Sequence, residues 1–281
     1  MPRCEFCNVN NNNLEINFYR MKRNFSLIAT LALVLSCPIS SFGFGRVGHA
    51  TVAKIAENHL TPAAKANIEK YIDGKSITEV ASWMDQVRKQ DAYKHTDGWH
   101  TAKIAKDGEV KDIKAVAGLN GEIAKLENGA YKNLSDSAVA VGIKLIVHMT
   151  GDMHCPSHSK FENHSQSFSF KINGEEYAFH KFFDSGFMGL SRKGWTFNDY
   201  AKYLDVLAPE AIKEVQKGSV KDWAVKNASV IEPLYEPLHQ GAEFNGLDAE
   251  NRIAYFSAIA ERQMQLAGYR LAGILNSIFD K

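Results

Sequence analysis

Apolar residues recur about every three to four positions along most of the chain after residue 43, which is the period of an α-helix with one buried face. Two helix starts are marked by their residue types: Pro62 follows Thr61, and Ser76 precedes Glu79 in the spacing of a capping box. Helical patterns occupy residues 50–59, 76–88, 137–152, 199–215, 220–238 and 251–279. The pattern therefore predicts an all-α protein built mainly as a helical bundle.

A period of two residues occurs in one short region. Residues 167–172 alternate between apolar and polar side chains, Asn173-Gly174 is the dipeptide most typical of a tight hairpin turn, and residues 175–179 return. This region predicts one short β-hairpin in an otherwise helical domain.

The start of the chain has the pattern of a secretory signal. Basic residues follow Met21, and the apolar run that ends at Leu35 is too short to span a membrane. Small residues precede Phe44, so we expect a signal peptide over residues 21–43 that is cut after Gly43.

Residues 1–20 are polar and unpatterned, and we interpret them as an upstream extension. Cleavage before Cys37, which would give a lipoprotein, is the alternative for the leader. The sequence thus predicts an exported protein, periplasmic or secreted, with a single domain over residues 44–281.

Charge and cysteine content limit the possible functions. The full chain has a formal charge of +1, and residues 1–43 contain four basic and two acidic side chains, so the remainder carries −1. No strong positive field is therefore available to attract a polyanion, and bound metal would have to supply that charge.

Of the four cysteines only Cys155 follows residue 43, so we expect no internal disulfide.

The densest group of candidate metal ligands lies where the helix predicted over residues 137–152 ends. His148 and Asp152 are four positions apart, so they lie one above the other on a single helix face. Pro156 stops the helix, and His158 follows in the next turn. Two imidazoles with a carboxylate are typical ligands of a divalent metal, zinc above all. The alternative is a helix end with buried structural histidines.

Two further groups support a metal site. His180 and Asp184 are again four positions apart, on a new helix predicted to follow the hairpin. Phe44 would be the new N-terminal residue, and its free α-amine and carbonyl could bind one metal together with His49. On the alternative interpretation, His49 only begins a surface helix.

Asp85 and Arg88 lie three positions apart on the helix predicted after Ser76, so they share a face. They predict either a helical ion pair, or a metal ligand next to a guanidinium that binds phosphate oxygens. On the second interpretation, His100 would join Asp85 across a loop.

Five motifs, in order along the chain, carry a resemblance to a known family. They are Gly-x-x-Gly-His at 45–49, Ser-Trp-x-Asp-x-x-Arg at 82–88, Trp-His at 99–100, His-x-x-Gly-Asp-x-His-x-Pro-x-His at 148–158 and His-x-x-x-Asp at 180–184. Together they resemble the zinc-dependent single-strand nuclease family. That family includes the fungal S-one and P-one nucleases and the plant bifunctional nucleases, and it is distantly related to the zinc phospholipases C.

The resemblance implies a mainly helical fold with a trinuclear zinc cleft. The implied ligands are Asp85, His100, His148 and Asp152 for one zinc of a close pair, Phe44, His49 and the bridging Asp152 for its neighbour, and His158, His180 and Asp184 for the third zinc. Phe44 would bind through its backbone amine and carbonyl.

The resemblance also implies an enzyme that hydrolyses single-stranded RNA and DNA to 5′-phosphorylated products and acts on 3′-nucleotides. Asp85 and Arg88 are the implied catalytic residues, and Arg88 would stabilise charge on the phosphoryl oxygens. We expect a monomer without a stable membrane partner. A zinc phospholipase C-like phosphodiesterase and a non-catalytic zinc-binding relative are the alternatives.

Two departures from the family pattern are specific to this chain. Cys155 stands where the family usually has glutamine. It is predicted either to pack in the core or to serve as an extra thiolate ligand. Residues 101–103, Thr-Ala-Lys, stand where fungal members place an aromatic residue and an aspartate that hold a base. No base-binding residues are therefore predicted.

Overall fold

The computed structural model describes residues 44–105, 107–112 and 114–280, with the backbone alone at residues 111 and 112. The predicted leader over residues 1–43, with the alternative cleavage site at Cys37, lies outside these residues.

Helices make up most of the described chain, which confirms the predicted fold class. In chain order they are α1 (Gly45–Asn58), α2 (Pro62–Tyr71), α3 (Ile77–Val80), α4 (Trp83–Val87), α5 (Lys114–Leu126), α6 (Asp136–His154), α7 (Phe179–Lys181), α8 (Phe187–Ser191), α9 (Phe197–Leu204), α10 (Pro209–Val215), α11 (Val220–Ile231) and α12 (Gly246–Phe279). Turns of 3₁₀-helix cover Asp91–Trp99, Glu127–Asn133 and Glu232–Tyr235, and a π-helical turn covers Phe182–Gly186.

Short strands form two small sheets. The first has the order β2-β1-β3, from β1 (Ala102–Ile104), β2 (Val110–Asp112) and β3 (Ser159–Phe161). The second has the order β5-β4-β6, from β4 (Ser169–Ile172), β5 (Glu175–Ala178) and β6 (Glu243–Phe244). The predicted hairpin is β4–β5, and both residues of its turn have positive φ, 49° at Asn173 and 80° at Gly174, as a type I′ turn requires.

The sequence pattern does not predict the remaining strands, because segments of two or three residues are too short to show alternation. β1 pairs with β3 in parallel and β4 pairs with β6 in parallel, so each pairing joins segments that are far apart in sequence. These two parallel pairings, β1–β3 and β4–β6, depend on tertiary structure rather than on local pattern.

Five predicted helices differ from the observed ones. The helix predicted over 50–59 begins five residues earlier, at Gly45. The capping box at Ser76 is confirmed, but the helix predicted over 76–88 is broken into α3 and α4 around Ala81 and Ser82. The helix predicted over 199–215 is broken between α9 and α10, where Pro209 begins the second helix.

The other two differences lie nearer the C-terminus. The helix predicted over 220–238 ends at Ile231, and Pro233, which has no N–H to donate, lies in the 3₁₀ turn that follows. The final helix begins at Gly246, five residues before the predicted start at Asn251.

The longest helix, α12, has 34 residues and packs against α1 and α6. A Cβ built on Gly268 would lie 2.6 Å from the Cβ of Ile55, so α12 and α1 approach closely only because residue 268 is glycine. Arg270 then donates from Nη1 to Nε2 of His154 at 2.6 Å, which ties α12 to the end of α6. These contacts fix the positions of α1 and α6, the helices that carry His49, His148 and Asp152.

Within the described residues, the hydropathy of every helix is too low, or its length too short, for a membrane crossing.

Candidate metal centre

Asp152 lies at the centre of a buried group of histidines. Its side chain is 1% exposed, and His148, one turn earlier on α6, is fully buried. The Nδ1 of His100 donates to Asp152 Oδ2 at 2.7 Å, and Nε2 of His148 lies 3.3 Å from the same oxygen. Nε2 of His49 and Nδ1 of His158 each lie 3.3 Å from Oδ1. One carboxylate therefore faces imidazoles from α1, α6 and the two segments that lead into β1 and β3.

Backbone hydrogen bonds set the orientation of two of these rings. Nδ1 of His148 donates to the carbonyl oxygen of Ala81 at 2.9 Å, and Nδ1 of His158 donates to the carbonyl oxygen of His100 at 2.8 Å. The opposite ring nitrogen, Nε2, then faces Asp85 and Asp152 in His148 and faces Asp184 in His158. Metal-binding histidines are usually held in this way, by a hydrogen bond from the ring nitrogen that does not bind the metal.

Asp85 approaches the group from α4. Its Oδ1 lies 3.6 Å from Nε2 of His148, and ligand atoms of Asp85, His100 and His148 all lie within 4.8 Å of one another. Burial raises the pKa of Asp85 to about 6, although the positive charge of His148 acts in the opposite direction.

His49 completes the group from the second turn of α1. Ligand atoms of His49, His148 and Asp152 lie within 4.8 Å of one another, and the rings of His49 and His148 stack at 4.0 Å. The ring of His49 occupies space that a side chain at position 151 would fill, because a Cβ on Gly151 would lie 2.7 Å from its Nδ1. His49 is 1% exposed, so it does not lie on a surface helix.

A second group lies around Asp184, in the π-helical turn between α7 and α8. Its Oδ1 is 3.5 Å from Nε2 of His158, and its Oδ2 is 3.4 Å from Nε2 of His180, which is four residues earlier. Ser157 donates to Oδ1 at 2.8 Å. The predicted helix over this pair is thus interrupted by a π-turn, a feature that frequently occurs at functional sites.

Cys155 is fully buried beside this second group. Its Sγ lies 3.1 Å from the hydroxyl of Ser157 and 3.7 Å from Asp184 Oδ1, and it belongs with His158 and Asp184 to a set of possible ligand atoms within 4.8 Å. Burial and the nearby carboxylate of Asp184 raise the pKa of the thiol well above its usual value. In this protein environment the neutral thiol is therefore favoured.

The chemistry of the donor set fits divalent metal. Buried ligand atoms without a hydrogen-bond partner in the described structure include Nε2 of His49, His100, His148 and His158, Oδ1 of Asp85 and Asp152, and Oδ2 of Asp184. Leaving this many buried polar atoms unpaired is costly, whereas a bound cation would satisfy them together. The atoms are oxygen and imidazole nitrogen, the donors that zinc binds.

The protonation states of His49 and Asp152 also suit a cation, whereas Asp152 raises the pKa of His148 and of His158 despite their burial, so these two rings would lose a proton when metal binds. Burial and the neighbouring His148 lower the pKa of His49 to about 4, which favours its neutral, metal-binding form. Burial alone would raise the pKa of Asp152, but the charges of His148 and His158 and the hydrogen bond from His100 hold it well below its usual value. The central carboxylate is therefore ionised at neutral pH.

Phe44 and Arg88 occupy different parts of this region. Phe44 is fully buried, and its carbonyl oxygen accepts from the N–H of Gly48 at 3.0 Å at the start of α1, five residues before His49. Arg88 follows α4 and lines a cleft of about 400 Å³ together with His100, His158 and His180. The cleft thus borders both groups of candidate ligands.

Three further residues support the site, and the sequence analysis assigns a role to none of them. Ala81 orients His148, Ser157 binds Asp184, and Gly151 leaves space for His49. Gly151 is visible in the sequence as part of the His-x-x-Gly-Asp motif, whereas the contacts of Ala81 and Ser157 depend on distant parts of the chain.

His154 belongs to the same dense stretch of the sequence but turns away from the site. Its Nδ1 donates to the carbonyl oxygen of Thr150 at 2.8 Å, and its Nε2 accepts from Arg270. Burial and the positive charge of Arg270 lower the pKa of His154 to about 3, so it is a neutral structural residue.

The fold and the site define a helical protein with a buried aspartate and histidine cluster at the border of a cleft. The model of the S1/P1 nuclease family matches residues 44–280, and the chain belongs to this family. It is 24% identical over 283 residues to nuclease S1 of Aspergillus oryzae, an alignment that covers 90% of this chain and 97% of the relative. It is 22% identical over 268 residues to nuclease P1 of Penicillium citrinum, covering 84% and 97%. Family and relatives support a nuclease, a hydrolase of nucleic-acid phosphodiester bonds.

Proposed function

We propose that the protein is an exported zinc-dependent nuclease and 3′-nucleotidase, which hydrolyses single-stranded RNA and DNA to 5′-phosphorylated products. The observation that carries the proposal is the convergence of unpaired imidazole and carboxylate atoms on Asp152, in a chain that matches a nuclease family over residues 44–280. A nuclease needs concentrated positive charge at the scissile phosphate. Bound metal ions would supply that charge, and the cluster offers ligand atoms for them.

The residues divide into three sets of zinc ligands. Asp85, His100, His148 and Asp152 would hold one zinc, His49, Asp152 and the backbone amine and carbonyl of Phe44 a second, and His158, His180 and Asp184 a third. The distances around Asp152 and Asp184 support these sets. When bound, zinc would supply positive charge to the phosphoryl oxygens and acidify water near neutral pH.

The protein's own side chains would position the substrate. Arg88 lines the cleft beside His100 and His158, where its guanidinium fork can bind two oxygens of the scissile phosphate. Asp152, held ionised by its histidine neighbours, would keep the close zinc pair in place. The hydrogen bonds from His148 to Ala81 and from His158 to His100 would fix both rings before substrate arrives.

Export is proposed on a separate ground. The family match begins at residue 44, directly after the sequence pattern of a secretory signal over residues 21–43. Cleavage there would also produce the free amine of Phe44 that the second zinc set requires. We propose that the processed enzyme is a monomer.

The experiment is an assay of the processed protein, starting at Phe44, on single-stranded DNA, single-stranded RNA and 3′-mononucleotides. Each substrate is tested with added zinc and with chelator, and the ends of the products are identified by mass spectrometry. Zinc-dependent cleavage that leaves 5′-phosphates supports the proposal. Products with 3′-phosphates, or unchanged cleavage in chelator, would contradict it. Hydrolysis of phosphatidylcholine without nucleic-acid cleavage would instead indicate the phospholipase C alternative.

A further inference from the structure

Two lysines lie side by side on the parallel strands β1 and β3. Lys103 and Lys160 are register partners, flanked by the pairs Ala102–Ser159 and Ile104–Phe161. Successive side chains on a strand point to opposite faces, and these flanking residues are buried. Lys103 and Lys160 therefore share the other face, and both line the cleft beside the candidate metal centre.

Each strand starts one or two residues after a candidate zinc ligand: β1 begins at Ala102, after His100, and β3 begins at Ser159, after His158. Ala102 donates its N–H to the carbonyl oxygen of His158 at 2.8 Å, and His158 Nδ1 donates to the carbonyl oxygen of His100 at 2.8 Å. Lys103 is three residues after His100 and Lys160 is two residues after His158. At about 3.3 Å per residue, the lysines follow the ligands by roughly 7 to 10 Å along the strands.

Two positive charges side by side repel each other when no anion is bound, and this repulsion destabilises the sheet. The half-buried Lys160 lies directly opposite Lys103 on the neighbouring strand. Like charges directly opposite each other destabilise a sheet. β3 is an edge strand, so among the described strands Lys160 has Lys103 as its single register partner, whereas Lys103 is also the register partner of Asp112 on β2. Asp97 is an acidic residue in the lining of the same cleft. An anion between the two ammonium groups would remove the repulsion.

We propose that Lys103 and Lys160 bind a phosphate of the polynucleotide that neighbours the scissile one. The proposal rests on the proposed nuclease function and adds a second anion site to it. Two ammonium groups recognise a phosphate as point charges, without reading a base, and such contacts give sequence-independent affinity. The pair therefore favours substrates with more than one phosphodiester, and it contributes nothing to those with a single one.

The test compares two substrates in the zinc-loaded enzyme: a dinucleoside monophosphate, with one phosphodiester, and a single-stranded tetranucleotide. We expect the double variant Lys103→Ala and Lys160→Ala to lower kcat/KM for the tetranucleotide about tenfold and to leave the dinucleoside monophosphate within about twofold. The plot of log kcat/KM against log salt should become shallower by about 0.7 for one lost phosphate contact on a single strand. Equal effects on both substrates, or on neither, would overturn the proposal.

Two further variants control for charge and folding. Lys171→Ala removes an exposed lysine from β4, in the other sheet, and should change neither rates nor salt slope. Replacing both cleft lysines by arginine keeps the charges and should restore the tetranucleotide rate to within about threefold. If Lys171→Ala loses as much rate and salt slope as the double variant, the effect is a general one of charge. That result would contradict a specific anion site at Lys103 and Lys160.

A failure of the nuclease proposal can be distinguished from a failure of the lysine-pair proposal. If the wild type hydrolyses neither substrate, the proposed function is wrong, and the lysine pair is then tested by binding alone. Fluorescence anisotropy with a labelled single-stranded tetranucleotide measures that binding in the zinc-loaded wild type and double variant. A weaker complex in the double variant supports the second anion site, and equal affinities reject it.

Discussion

His148 donates a hydrogen bond from Nδ1 to the carbonyl oxygen of Ala81 at 2.9 Å, at the point where the chain breaks between α3 and α4. A continuous helix would use that carbonyl for its own hydrogen bonding. The break therefore fixes the ring of His148 with Nε2 directed at Asp85 and Asp152, 3.6 Å and 3.3 Å away. One local irregularity supports the orientation of a candidate metal ligand.

The first prediction concerns His148 and Asp152. Replacing either by alanine removes a ligand of the proposed close zinc pair, so we expect activity to fall at least about 100-fold and zinc bound after dialysis to decrease. Zinc is measured by mass spectrometry, and unfolding temperature with and without chelator gives a readout independent of activity. Chelator should destabilise the wild type more than either variant, because metal binding stabilises the folded state.

His239→Ala is the matched control, because His239 is an exposed histidine outside the cluster. It should retain zinc, activity and the chelator effect. Full activity in His148→Ala or in Asp152→Ala would contradict the proposed ligand sets.

The second prediction uses Gly151, which lies on α6 next to Asp152. A Cβ at this position would lie 2.7 Å from Nδ1 of His49, so alanine should displace the ring of His49. Alanine favours a helix over glycine by about 1 kcal/mol, so a loss of function cannot be explained by weaker helix formation. We expect zinc affinity to fall about tenfold or more, measured by competition with a chromogenic chelator.

Gly121→Ala provides the control for this substitution. Gly121 lies on α5, and a Cβ built at this position would have no described atom within 4 Å outside its own stretch of the helix. This variant should bind zinc as the wild type does. If Gly151→Ala also keeps wild-type affinity, His49 is not a ligand in the position observed.

Local spacing explains which parts of the site were predictable. His148 and Asp152 share a helix face, as do His180 and Asp184 in the proposed ligand set, because four residues make about one helical turn. The sequence also shows the hairpin at Asn173, since the turn type depends on two adjacent residues.

Features that join distant segments were not predictable in the same way. The pairing of Lys103 with Lys160 depends on parallel strands of three residues, and the hydrogen bond from Ser157 to Asp184 depends on where a π-turn lies. At the break, the carbonyl oxygen of Ala81 accepts a hydrogen bond from His148 on a distant helix, although the periodicity of residues 76–88 favours one continuous helix. In each case a tertiary contact outweighs the local propensity.

The third prediction concerns Cys155. Its thiol is fully buried, and its Sγ lies 3.1 Å from the Ser157 hydroxyl and 3.7 Å from the Phe183 carbonyl oxygen, so we expect a packing role rather than a thiolate ligand. Cys155→Ala should keep the zinc content and activity of the wild type and lower the free energy of unfolding by about 1 kcal/mol, measured in urea. Cys155→Ser, which keeps the size of the side chain, serves as the control. Loss of one zinc per chain in both variants would instead identify the thiolate as a ligand beside His158 and Asp184.

The last prediction concerns the free amine of Phe44. Phe44 is fully buried at the start of α1, five residues before His49, so its backbone enters the fold at the helix that carries a proposed ligand. If residues remain before Phe44, its amine becomes an amide nitrogen, which is a poor metal ligand at neutral pH. We therefore expect a protein with two extra residues before Phe44 to bind one zinc fewer per chain and to lose about 10- to 100-fold in activity. The same two residues added after Lys281 should change neither quantity. Equal zinc content and equal activity in both extended proteins would show that the second zinc set does not use the N-terminal amine, and would leave His49, Asp152 and the Phe44 carbonyl oxygen as its protein ligands.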